Sequence, residues 1–131
     1  MIVIDSSALL DVLFSEPEKG AFEGAIKGGR LCLISAVSVH ETATVLRLRQ
    51  GVPAVERLWE ILRLSQIQVV CFDEAQARAA AEAYGRYGKG IHSKARLNLA
   101  DCASYALATT MDAPLLFKGD DFVHTDVKIC L

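Results

Sequence analysis

The stretch Ile2-Val3-Ile4-Asp5-Ser6-Ser7-Ala8-Leu9 decides the fold. Its three consecutive apolar residues are β-branched and lack helical periodicity, so they read as a short strand buried on both faces. The run stops at Asp5, and Ser6 to Phe14 continues as a helix with Asp5 or Ser6 as N-cap. A buried strand that passes straight into a helix is the opening of a β-α-β unit.

The same junction recurs down the chain. Leu31–Ile34 is a second apolar run, followed by a helix from about Val37 to Gln50 that Gly51 closes. Before it, Pro17 is expected in the first turn of a further helix that Gly28-Gly29 ends. Past Pro53, Val55, Leu58, Trp59 and Leu62 fall at helical spacing. Ile67 to Phe72 reads as a third strand, and Asp73 caps a helix through Tyr87. Residues 99–111 form an Ala-rich helix, and Leu115–Phe117 and Val127–Ile129 the last two strands. Strands alternating with helices imply right-handed crossovers and a mostly parallel central sheet of about five strands, with helices on both faces. The expected class is therefore α/β, in three α/β/α layers, as one domain over residues 1–131.

Bulk composition agrees. Of the residues 52% are hydrophobic, more than most domains carry, which suits a sheet covered on both sides. Net charge is −2, so any contact with nucleic acid has to come from a local basic patch. No segment is long and apolar enough to span a membrane, and the N-terminus, broken at Asp5, does not read as a signal peptide. Cys32, Cys71, Cys102 and Cys130 form no C-x-x-C pair and read as free thiols, which points to a reducing, cytoplasmic setting.

The chemistry lies in four acids. Asp5 ends the first strand, and Glu41 falls on the helix after the second. Asp101 heads the Ala-rich helix in Asn98-Leu99-Ala100-Asp101-Cys102. Asp121 follows the strand Leu115–Phe117 in Lys118-Gly119-Asp120-Asp121-Phe122. Singly, each has a structural explanation: Asp5 as an N-cap, Glu41 in a capping box with Ser38, Asp101 near a positive helix N-terminus, Asp120 and Asp121 in a turn. Jointly, they fall at one edge of the sheet, where open α/β folds place their sites. Crowded carboxylates repel unless a cation neutralises them, and carboxylate oxygens suit Mg²⁺ or, alternatively, Mn²⁺. Such an ion activates water and stabilises charge on a phosphodiester. Ser6 is placed to hold a carboxylate or a metal-bound water, or to cap the helix.

One basic segment, carrying Lys89, His92, Lys94 and Arg96, runs directly into Asn98 and Asp101. It reads either as a solvated mobile loop or as a phosphate-contacting loop beside an acidic site. Lys118 is a second candidate phosphate contact. His40, His92 and His124 lack zinc spacing. No G-x-G-x-x-G or G-x-x-x-x-G-K-[ST] occurs, and position 7 is Ser where an aspartyl phosphatase has a second Asp.

These motifs together resemble the PIN-domain nucleases, and in particular their VapC toxin branch. The opening Ile2–Leu9, the segment Tyr87-Gly88-Lys89-Gly90, Asn98–Cys102 and Leu115–Phe122 carry the likeness over nearly the whole chain. The resemblance implies a PIN-like fold and a Mg²⁺-dependent endoribonuclease, the toxin of a toxin–antitoxin pair, cutting structured RNA such as tRNA or rRNA. It implies Asp5 and Asp101 as principal metal ligands, with Glu41 and Asp121 completing the catalytic set and Ser6 and Asn98 in support. Asp120 stands where many relatives carry Asn; the pattern Gly-x-Asp-Phe favours Asp121. A cognate antitoxin and a homodimer are the implied partners. Apolar residues including Ala8, Leu9, Val12, Leu13, Phe14 and Phe22, and those around Trp59, read for the most part as core or as the lining of a groove that takes an antitoxin helix. Two other readings are compatible with the acids: a catalytically idle module that binds RNA or protein, and a related DNA nuclease or phosphoesterase.

Overall fold

The computed structural model describes all 131 residues. Four strands, β1 (Ile2–Ile4), β2 (Cys32–Ser35), β3 (Ile67–Val70) and β4 (Leu115–Leu116), form a sheet in the order β3-β2-β1-β4. Every pairing is parallel, with Val3 opposite both Leu33 and Leu115. Six helices connect them: α1 (Ser6–Leu13), α2 (Lys19–Ile26), α3 (Ala36–Gln50), α4 (Val52–Leu64), α5 (Glu74–Tyr87) and α6 (Leu99–Thr110).

Strand alternation divides the interior into two cores. Ile2, Ile4, Ile34 and Leu116 point to the face covered by α1–α4, where Leu9, Phe22, Leu46, Leu58 and Leu62 pack on them. Val3, Leu33 and Leu115 point the other way, onto α5 and α6, with Ala83, Leu107 and Phe122. Both faces of the sheet are thus covered, which is why its central strands carry no polar residue until Asp5 and Ser35.

Three expectations need correction. The sheet has four strands rather than about five. The segment Val127–Ile129 contributes one bridge, Ile129 opposite Leu115, closed by Leu115 N–H to Lys128 O (2.8 Å) and Cys130 N–H to Leu115 O (3.0 Å). The two-residue length of β4 leaves nothing further to pair with. Pro17 lies in the turn before α2, whose first residue is Lys19. Ser38 is not the cap of α3: Ser35 is, its Oγ accepting from Val37 N–H (3.2 Å).

Candidate active site at the carboxyl edge of the sheet

Asp5 leaves β1 at its carboxyl end and caps α1, Oδ2 accepting from Ser7 N–H (3.0 Å) and Ser7 Oγ–H (2.6 Å). Its Oδ1 accepts from Ser104 Oγ–H on α6 at 2.5 Å. Glu41, in the second turn of α3, accepts from the buried Ser6 hydroxyl. Asp101 closes a reciprocal capping box with Asn98: Asp101 N–H donates to Asn98 Oδ1 (2.8 Å) and Asn98 N–H to Asp101 Oδ2 (3.0 Å). The capping readings of Asp5 and Asp101 are correct, and the charge of both is still presented at the sheet edge. The capping-box reading of Glu41 with Ser38 fails, since the Glu41 carboxylate is bonded to Ser6.

The electrostatics show the convergence. Asp101 is 8% exposed, and its carboxyl is pushed up from 3.8 to about 7. Burial is the largest cause; the charges of Asp5, Asp121 and Glu41 add to it, against the Asn98 backbone hydrogen bond. Asp121, exposed after β4, therefore acts on the same point as acids from β1 and α3. Cys102 beside it is pushed up to about 11 by burial and by Asp101, so it is an inert buried thiol. All four cysteines are free.

Oxygen donors alone line this edge, the set a hard divalent cation takes. No three His, Cys, Asp or Glu side chains converge closely enough to hold an ion in their present rotamers. Each carboxylate has a partner within the protein: Asp5 is held by Ser7 and Ser104, Glu41 by Ser6, Asp101 by Asn98.

The basic segment is ordered by its own contacts. Lys89 N–H donates to Leu97 O and Leu97 N–H to Tyr87 O, each at 2.9 Å. His92 Nδ1 accepts from Lys94 N–H (3.0 Å) and Ala95 N–H (2.9 Å), which makes His92 a loop staple. Gly88 is required at the loop's start, because a Cβ there would lie 2.5 Å from Tyr84 O. Ala95 and Leu97 are buried, while Lys89, Lys94 and Arg96 project into solvent.

Lys118 corrects the sequence reading. Its ammonium lies among Glu16 (2.9 Å), Asp11 (3.2 Å) and Glu18 (3.3 Å), so its charge is engaged within the protein and not free for a phosphate. Asp11 has no accessible surface, and burial raises its pKa. Its position within an apolar helix gave no sign of this role. Ser7, Ser38 and Ser104 were also missed. No local signal marks Ser104, which stands one turn beyond Asp101 between Ala103 and Tyr105.

The profile of the PIN domain family matches residues 2–128 of the chain. The chain belongs to the PIN-domain family. Within it, the VapC ribonucleases are similar over almost the full length. VapC ribonuclease Mb0640 of Mycobacterium bovis is 44% identical over 126 residues, covering 96% of this chain and 95% of its relative. The crystal structure of Mycobacterium tuberculosis VapC20, a toxin described as cleaving the sarcin–ricin loop, matches with a TM-score of 0.77 at 19% identity. It covers 97% of this chain and 96% of that one. A toxin–antitoxin complex from Klebsiella pneumoniae contains a chain matching with a TM-score of 0.70 at 18% identity, over 96% of this chain and 93% of that one. This PIN domain has no helix long and apolar enough to cross a membrane.

Proposed function

We propose that this PIN domain is a Mg²⁺-dependent endoribonuclease, the toxin of a toxin–antitoxin pair, acting on structured RNA such as tRNA or rRNA. The observation that carries the reading is the mutual repulsion of Asp5, Glu41, Asp101 and Asp121 at Asp101, a cost that a bound cation removes. Mg²⁺ bound there supplies an activated water and charge stabilisation at the scissile phosphate. Asp5 and Asp101 would hold the ion, since Mg²⁺ needs only one or two carboxylates besides water and phosphate oxygens. Glu41 and Asp121 would complete the negative field that attracts the ion. Ser6 fixes Glu41, and Asn98 fixes Asp101 through their cap.

Lys89, Lys94 and Arg96 lie on the loop that enters α6, so phosphates bound there bring RNA to Asp101. His92 serves as the staple of that loop. An antitoxin segment fits the groove between α1, α2, α3 and α4, about 350 Å³, lined by Leu9, Val12, Leu13, Ile26, Leu46 and Ile61. Lys19, Lys27 and Arg57 line the same groove against a single acid, Glu23, which pairs with both lysines; the net positive charge favours an amphipathic helix with acidic flanks. The matching chain in the toxin–antitoxin complex from Klebsiella pneumoniae supports that partner. Homodimerisation, joining two sites into one RNA groove, completes the reading.

The test is incubation of antitoxin-free protein with tRNA, rRNA and single-stranded DNA, in Mg²⁺ and in EDTA. Discrete RNA products that require Mg²⁺ are expected. RNA binding without cleavage in Mg²⁺ or Mn²⁺ would replace the nuclease with an idle binding module, and preferential cutting of DNA would replace the substrate.

A further inference from the structure

Asp5 is held by more hydroxyls than its cap requires. Capping of α1 uses Oδ2 alone, through Ser7 N–H. Oδ1 is engaged separately by Ser104, from a helix almost a hundred residues on, and that bond contributes nothing to the α1 cap. The direction of the chain of bonds is fixed by chemistry. A carboxylate only accepts, so the Ser104 hydroxyl spends its proton on Asp5. Ser104 Oγ must then accept from Ser38 Oγ–H, 2.9 Å away on α3. Ser38 and Ser104 are buried, at 1% and 0% exposure. A buried hydroxyl is costly without partners, and the neighbours of Ser104 on α6 include the buried Cys102, Ala103, Ala106 and Leu107, while the Tyr105 hydroxyl is taken by Asp126. An alanine would serve packing between α3 and α6 equally well.

We propose that Ser104, oriented by Ser38, is a positioning residue that locks the Asp5 carboxylate for the divalent ion. Rotation of Asp5 about its Cβ–Cγ bond breaks either the Ser104 bond at Oδ1 or the Ser7 bonds at Oδ2. Oδ1, engaged once, keeps its second lone pair for the ion, while Oδ2 is engaged twice by Ser7. The relay thus ties α1, α3 and α6 to one carboxylate at the end of β1. It rests on the metal-dependent reading above.

The experiment is Mn²⁺ titration of the full, RNA-free protein by isothermal calorimetry, with thermal melts and RNA cleavage kinetics on the same preparations. Loss of an outer partner of a metal ligand typically costs about 10- to 100-fold in metal affinity or activity. Ser104→Ala is expected to weaken Mn²⁺ binding within that range and to lower kcat, with KM for RNA unchanged. Ser38→Ala, which leaves the Ser104–Asp5 bond in place but unguided, is expected to lose less in the same direction. It carries the test alone where Ser104→Ala does not fold. Wild-type binding and cleavage with unchanged Mn²⁺ affinity in the folded variants would overturn the relay. A wild-type protein that neither binds Mn²⁺ nor cleaves RNA would overturn the metal-dependent reading and the relay with it.

Discussion

Replacing Asp101 by Asn should stabilise the metal-free protein at and above neutral pH. The buried Asp101 carboxyl titrates near 7 instead of 3.8, first through burial and then through Asp5, Asp121 and Glu41. The folded chain therefore keeps a proton that the unfolded chain releases. Stability is complete below about pH 4, declines as pH rises, and has lost its full increment once pH passes about 7. Each pKa unit is about 1.4 kcal/mol, so the gap is worth roughly 4 kcal/mol by pH 8. An asparagine amide retains an acceptor for Asn98 N–H and carries no charge to repel. In EDTA, urea denaturation should give similar stabilities for wild type and Asp101→Asn near pH 4. At pH 8 the variant should be more stable by roughly 4 kcal/mol, a Tm difference on the order of 10 °C for a domain of this size. Saturating Mg²⁺ should narrow the gap by stabilising only wild type, by about 2.7 kcal/mol at a hundred times its Kd. Parallel pH profiles for the two proteins in EDTA would refute the reasoning.

Other substitutions separate the site from its supports. Lys118→Met removes the cation beside the inaccessible Asp11, and should cost about 3 kcal/mol at pH 7 in thermal or urea unfolding. Adding Asp11→Asn should recover most of that loss. Changing Lys89, Lys94 and Arg96 together to Ala should leave stability within about 0.5 kcal/mol, because all three are exposed. It should weaken RNA binding and flatten its salt dependence, measured by fluorescence anisotropy at several ionic strengths. Asp121→Asn should reduce Mg²⁺-dependent cleavage more than Asp120→Asn, since Asp121 is a charge that acts on Asp101; equal losses would assign the role to the turn as a whole.

The layered fold was legible because its causes are local. The apolar runs at Ile2–Ile4 and Cys32–Ile34 have no polar interruption, Ile67–Val70 has only Gln68, and the helix starts carry their own caps at Asp5, Asp73 and Asn98. The last strand was overcalled because Val127–Ile129 has the composition of a strand, while pairing depends on how much of β4 is available beside it. The acids were legible as a set, through their recurrence at strand ends. Their partners were not. Lys118 next to Asp121 looks like a free cation in sequence, and only the α1–α2 turn bringing Glu16 and Glu18 to it reveals the cage. The bonds from Ser104 and Ser38 span 99 and 66 residues, distances across which no periodicity speaks.

The central claim is that these carboxylates hold a divalent ion. Anomalous diffraction from crystals grown in Mn²⁺ tests it most directly. A Mn²⁺ peak within coordination distance of the Asp5 and Asp101 carboxylates, absent from Asp101→Asn crystals, is the predicted result. A fully ordered site with no Mn²⁺ peak at millimolar concentration, or a peak that stays unchanged in Asp101→Asn, would contradict it.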